Sequence, residues 1–184
     1  MNPLSVHLVL GCLLLFARQV PAGEDDAAAL QGRWRVLSAK QNGSSFAKDK
    51  IEKMFVVIEQ GEILVYIEGT ASTQQAKFKL DPKKSPKQID FIEPSRDNDW
   101  ESGLLDHKLF RSWRLEGGKV VAADDKVEGI YKLEGDSLTF CWRTIKDKEI
   151  LGDKVAQELK VRPSVFRSDL YYHQFLFVLK RIDK

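Results

Sequence analysis

The side chains that could carry chemistry are few and scattered. The 184-residue chain has three histidines and two cysteines; His7 and Cys12 fall in an apolar N-terminal run, which leaves His107, His173 and Cys141 in its body. A catalytic thiol needs a neighbouring base or an electropositive pocket to ionise it. Cys141 lies instead in Leu138-Thr139-Phe140-Cys141-Trp142, a buried-strand pattern where a thiol acts as a small apolar side chain. The chain has no Gly-x-Ser-x-Gly elbow, phosphate loop or His-Glu-x-x-His. Asp97-Asn98-Asp99-Trp100-Glu101-Ser102-Gly103 spaces oxygen ligands as a calcium loop does, but its glycine falls one place late and no acid closes it near Lys108. It reads as a solvated acidic loop. His107 beside Asp106 and His173 beside Tyr172 offer one zinc ligand each, short of the three or four a site needs. Lys83, Lys84 and Lys87 surround Ser85 and Pro86 without interleaved aromatic rings, which fits a solvated hairpin tip better than a nucleic-acid contact. With 29 basic and 27 acidic residues, no long-range field gathers nucleic acid or anionic lipid. The expectation is a protein without catalysis, metal, cofactor or nucleic-acid partner.

The N-terminal run, Leu4–Phe16, is too short to span a bilayer comfortably and ends in Val20-Pro21-Ala22, the small-residue pattern of a signal-peptidase site. Residues 1–22 are therefore expected to be a cleaved signal peptide and the mature protein secreted or periplasmic, with no transmembrane span. A lipoprotein signal ending at Cys12 is the rival, set against by the greasy Leu13–Phe16 it would leave at the mature terminus. Cleavage near Ala22 leaves Cys141 alone, so no internal disulfide helps the core.

The elements that must position any site are short strands. Residues 23–29 (GEDDAAA) read as a flexible leader, and residues 30–184 as one domain. Trp34 and Val36 alternate with Arg33 and Arg35, and a short helix is expected around Ala47–Met54. Gln60-Gly61 and Gly135-Asp136 each join two alternating segments, the signature of a tight hairpin. Thr73–Leu80 meets a turn at Asp81-Pro82, Gln88–Glu93 resumes the strand pattern, and Lys108–Leu115 alternates again. A weak helical pattern crosses Asp147–Lys160, and Phe175–Leu179 is continuously apolar, as in a strand buried on both faces. Eight to ten short strands with one or two short helices argue a mainly β fold, an antiparallel barrel or sandwich. Closure removes sheet edges, which favours the barrel.

Leu30-Gln31-Gly32-Arg33-Trp34, Lys79–Lys87, Ile89-Asp90, Gly129–Leu138, Cys141, Arg162-Pro163 with Phe166, and Val178–Arg181 together resemble a family of secreted, lipocalin-like domains of planctomycete bacteria. They run in the family's order over nearly the whole of residues 30–181. Two stretches depart from it: residues 94–126 replace a short connection, and Ser168–His173 stands where the family is glycine-rich. The resemblance implies an up-and-down barrel in which Gly32 turns the chain into the first strand and Trp34 stoppers one end. It also implies a late basic residue, Arg181 or else Lys180, stacked over that indole.

An eight-stranded barrel has room for its own side chains or for one small molecule. Counted in step with Trp34, the inward set is Val36, Tyr66, Phe78, Phe91, Tyr131, Leu133, Phe140 and Trp142. If the large rings gather at one end, Tyr66, Phe78, Phe91, Tyr131, Phe140 and Trp142 line a site for a small apolar ligand, with residues 94–126 as its lid. If the rings fill the centre, the barrel is solid. It then acts as an envelope or protein-interaction module, with Trp100, Tyr171 and Tyr172 as contacts.

Overall fold

The computed structural model describes residues 24–70, 73–92, 109–110, 112–116, 119–123, 126–144, 162–168 and 174–183. Eight antiparallel strands form its body: β1 (Gly32–Gln41), β3 (Met54–Glu59), β4 (Glu62–Ile67), β5 (Thr73–Asp81), β6 (Lys87–Ile92), β9 (Val127–Glu134), β10 (Ser137–Arg143) and β11 (Gln174–Asp183). Each pairs with the next, and β11 pairs with β1, so the sheet closes into an up-and-down barrel. Three small additions lie between these strands. β2 (Ser44–Ser45) folds back on β1, α2 (Lys48–Glu52) precedes β3, and β7 (Ser112–Glu116) with β8 (Lys119–Ala123) forms a separate hairpin between β6 and β9.

Local chemistry explains the hairpins. Gln60 and Gly61 both take positive φ (50° and 83°), the backbone that two-residue turns need between right-twisted strands. Such a turn pairs residues three apart, so it inverts the inward parity from one strand to the next. Even positions (Met54, Val56, Ile58) face the core on β3, but odd ones (Ile63, Val65, Ile67) do so on β4. This corrects one expectation. Tyr66 is on the outer wall, stacked on Phe55 at 5.5 Å, because parity carried from Trp34 does not survive the turn at Gln60-Gly61.

The other inward expectations stand on the core side. Val36, Phe91, Tyr131, Phe140 and Trp142 are buried in the main cluster, with Phe78 and Leu133 packed against it. On β1 two register irregularities against β11 shift the phase, so Ala39 is buried while Leu37 is exposed. The last strand alternates instead of being buried on both sides: Phe175, Phe177 and Leu179 face the core, and Leu176 and Val178 are half-buried outside.

Residues 24–30 are not a loose leader. They form α1 (Glu24–Leu30), whose Leu30 is fully buried and whose Asp26 is nearly so. Acids in the first turn and three alanines after them suit a helix start, and tertiary contacts hold it in place. Cys141 also differs from a plain core residue. It lies on the outer side of β10 between the inward Phe140 and Trp142, covered by the 162–168 segment, and its Sγ donates to the Arg167 carbonyl at 3.3 Å.

Candidate functional site

The barrel's two ends are built differently. At one end lie the turns 60–61 and 135–136, the Asp81–Lys87 turn and α1. Trp34 is fully buried there, and its Nε1 donates to the Leu30 carbonyl at 3.0 Å. Arg181 on β11 lies opposite Trp34 in the register and stacks its guanidinium 4.0 Å from the indole centroid. The same fork donates to the Gln31 carbonyl at 2.6 Å and to the Ala29 carbonyl, tying off the end of α1. Gly32, Trp34 and Arg181 thus meet as a stopper, with α1 as its outer layer.

Beneath α1 sits a polar cluster that sequence reading did not anticipate. Asp26 accepts from Lys87 Nζ at 2.7 Å and from the Tyr131 hydroxyl at 2.5 Å. Burial, reinforced by the Asp26 carboxylate, pushes the Tyr131 phenol well above its ordinary pKa of 10.0, so it stays protonated and donates. Tyr131 is therefore committed to holding α1.

The opposite end carries the aromatic residues. Trp142 stacks on Phe175 at 5.2 Å, meets Phe177 edge-on at 5.0 Å and contacts Phe91 at 5.5 Å. Phe91 also meets Phe140 at 6.2 Å, and Phe46 closes on Phe177 at 5.9 Å. Gly129 makes this possible: a Cβ there would lie 3.0 Å from Trp142 Cβ and 3.2 Å from Ile89 Cγ2. Into the cluster comes a dipeptide from the connection after β6, Leu109-Phe110, both buried. Phe110 packs on Phe91 at 4.8 Å and on Trp142 at 6.0 Å. Leu109 is fixed through its backbone: its N–H donates to Gln74 Oε1 at 2.5 Å, and its carbonyl accepts from Trp142 Nε1 at 2.6 Å. Phe91, Trp142, Phe175, Phe177 and Phe110 each expose 2% or less, so this end is filled by the chain's own rings.

No known family model, curated protein or solved structure matches the chain. The reading of the site therefore stands on its own geometry. Of the six candidate ligand contacts, Phe91, Phe140 and Trp142 come together at the aromatic end, Phe78 packs at the core's edge, Tyr131 belongs to the α1 cluster, and Tyr66 lies outside. Leu109, Phe110, Phe175, Phe177 and Gln74 were missed as site residues. The signal for Gln74 was present: a polar residue at an inward position needs a partner, and Leu109 N–H supplies one.

On the outer wall, Arg162 clamps the 162–168 segment across β6 and β9. It donates to the Ile89 and Gly129 carbonyls at 3.0 and 2.6 Å and to Asp90 at 2.5 Å. Burial works to raise the Asp90 pKa, but hydrogen bonds from Lys126 and Arg162 outweigh it and hold the carboxyl below its ordinary 3.8. Among the described residues no three His, Cys, Asp or Glu side chains gather as a metal set, and no helix is long and apolar enough to cross a membrane. Trp100, His107, Tyr171, Tyr172, His173 and the Asp97–Gly103 loop lie outside the described residues, as do residues 1–22.

Proposed function

We propose that this is a non-catalytic, lipocalin-like barrel, exported to the periplasm or beyond, that takes a small apolar ligand at its aromatic end. It joins the secreted planctomycete domains its sequence resembles. The observation that carries the reading is the Leu109-Phe110 dipeptide seated among Phe91, Trp142, Phe175 and Phe177. Two apolar side chains from a long polar connection occupy the place a ligand would take, held by two backbone hydrogen bonds. Binding is then an exchange, in which the dipeptide leaves and the ligand's rings or chain take over its contacts.

The energetics set what qualifies. Withdrawing Leu109 and Phe110 forfeits about 1.5–3 kcal/mol each. A flat ligand burying about 400 Å² of apolar surface returns roughly 10 kcal/mol before its own ordering costs. Only a sizeable apolar molecule can displace the plug. The neutral fluorophore N-phenyl-1-naphthylamine is a suitable probe, read by its emission. Leu109→Gly with Phe110→Gly is expected to tighten binding at least ~10-fold over the parent, since the competing plug is gone. If neither protein takes up the probe, the ligand reading is wrong.

A second reading rests on the near-zero exposure of the aromatic residues. A barrel filled by its own rings is a rigid scaffold, and its function would then reside in the long connections as an envelope or protein-interaction module. Absence of probe binding in both proteins would favour it.

A further inference from the structure

The outer wall of β1, β3 and β4 carries an arrangement that neither barrel closure nor ligand uptake requires. Arg33 and Arg35 project outward from alternate positions of β1 and both lie on Phe55, with guanidinium carbons 4.6 and 5.2 Å from its ring centroid. Arg33 also reaches Tyr66, at 5.8 Å. Phe55 and Tyr66 are stacked on each other, so the two rings form one platform with two cations on it. Lys180 on β11, the register partner of Arg35, is exposed and adds a third cation to the row. None of the three forms an ion pair among the described residues. Arg33 Nε is buried with no hydrogen-bond partner.

Asp183 is the register partner of Arg33 on β11; bringing like charges together without an ion pair is unfavourable, and the effect is strongest where a ring excludes water from one side. Cation–π stacking holds each guanidinium by its face and leaves the outer fork nitrogens facing solvent. Such forks fit carboxylates bidentately. Residues two apart on a strand are separated by about 6.6 Å, the same repeat that separates alternate side chains of an extended peptide. Leu37, next in the outward row and 54% exposed, offers an apolar neighbour to whatever docks.

We infer that this wall is a docking surface for an extended acidic segment of a protein partner, with carboxylates at alternate positions engaging Arg33 and Arg35 and an apolar residue meeting Leu37. The site lies on the outside of the barrel and is independent of ligand uptake at the aromatic end.

The test uses the purified protein and a fluorescein-labelled extended peptide with glutamate at two alternate positions and valine at the next alternate one, read by anisotropy. Arg33→Gln with Arg35→Gln is expected to weaken binding at least ~10-fold, and Arg35→Lys, which keeps the charge but loses the fork, several-fold. Lys83→Gln with Lys84→Gln removes the same charge from a distant turn and is expected to change affinity less than about twofold. Thermal melts of the variants establish that each is folded. Lack of peptide binding by the parent, equal losses in both double variants, or binding only to phosphatidylglycerol vesicles through these arginines would each overturn the inference.

Discussion

Replacing Arg181 by Met removes the charge from the stoppered end while keeping much of the side chain's length. The side chain is only 8% exposed and lies 4.0 Å from the Trp34 ring, a desolvated cation–π contact contributing about 1–2 kcal/mol. Its bonds to the Gln31 and Ala29 carbonyls are charge-assisted, roughly 1.5–3 kcal/mol each when shielded from water, but the first is only part-buried and the second is exposed. Water can reach those helix-end carbonyls once the guanidinium is gone, so less than half of that is expected to be lost. The ion pair with Asp136, itself 71% exposed, adds little. The net expectation for Arg181→Met is a loss of about 3 kcal/mol, against a total of ~5–15 kcal/mol for a domain. That corresponds to a melting temperature lower by about 6–12 °C. Arg181→Lys keeps the cation but bridges fewer carbonyls, and should lose about half as much. Urea unfolding followed by tryptophan fluorescence measures both. A change below about 0.5 kcal/mol in Arg181→Met, the range of an ordinary surface substitution, would refute the reasoning.

Four further outcomes follow from contacts elsewhere in the barrel. Tyr131 has a raised pKa in the fold, so its contribution is complete below pH 10.0 and is lost as the pH rises beyond that value; alkaline melts of Tyr131→Phe should fall less steeply there than the parent's. Asp90 has a lowered pKa, so its contribution is present above the ordinary 3.8 and is lost as the pH falls through the folded-state value; Asp90→Asn should flatten the acid limb of the stability curve. Gly129→Ala places a methyl 3.0 Å from Trp142 Cβ and the Cys141 carbonyl, an overpacking expected to cost about 1–3 kcal/mol in urea unfolding. In a Cys12→Ser background, Arg162→Met should loosen the 162–168 segment and speed the reaction of Cys141 with a thiol reagent, while an unchanged rate would show that Arg162 does not hold the cover.

The barrel was legible because its signals are local and repeated. Val127–Glu134 and Ser137–Arg143 meet at the expected hairpin, since Gly135-Asp136 stops both strands and their apolar alternation starts afresh on either side. Tyr66 shows the limit of alternation: it gives two faces for each strand but not which is inward, and the register that decides this comes from the turn. The α1 helix was readable from Glu24-Asp25-Asp26 followed by three alanines, yet seven residues are too few to form a helix unaided. Its stability comes from Lys87, Tyr131 and Arg181, as many as 152 positions away in the chain. Leu109-Phe110 was hardest to see, because a plug is defined by what it fills and no pattern of its own marks it.

The two barrel ends can be read in one spectrum of tryptophan indole N–H resonances labelled with nitrogen-15. Trp34 Nε1 donates to the Leu30 carbonyl at the stoppered end, and Trp142 Nε1 donates to the Leu109 carbonyl at the plugged end. On addition of N-phenyl-1-naphthylamine, the Trp142 indole signal should move as Leu109 leaves, while that of Trp34 stays in place. A stationary Trp142 signal at saturating probe, or a shift confined to Trp34, would contradict an exchangeable plug in a barrel locked at its other end.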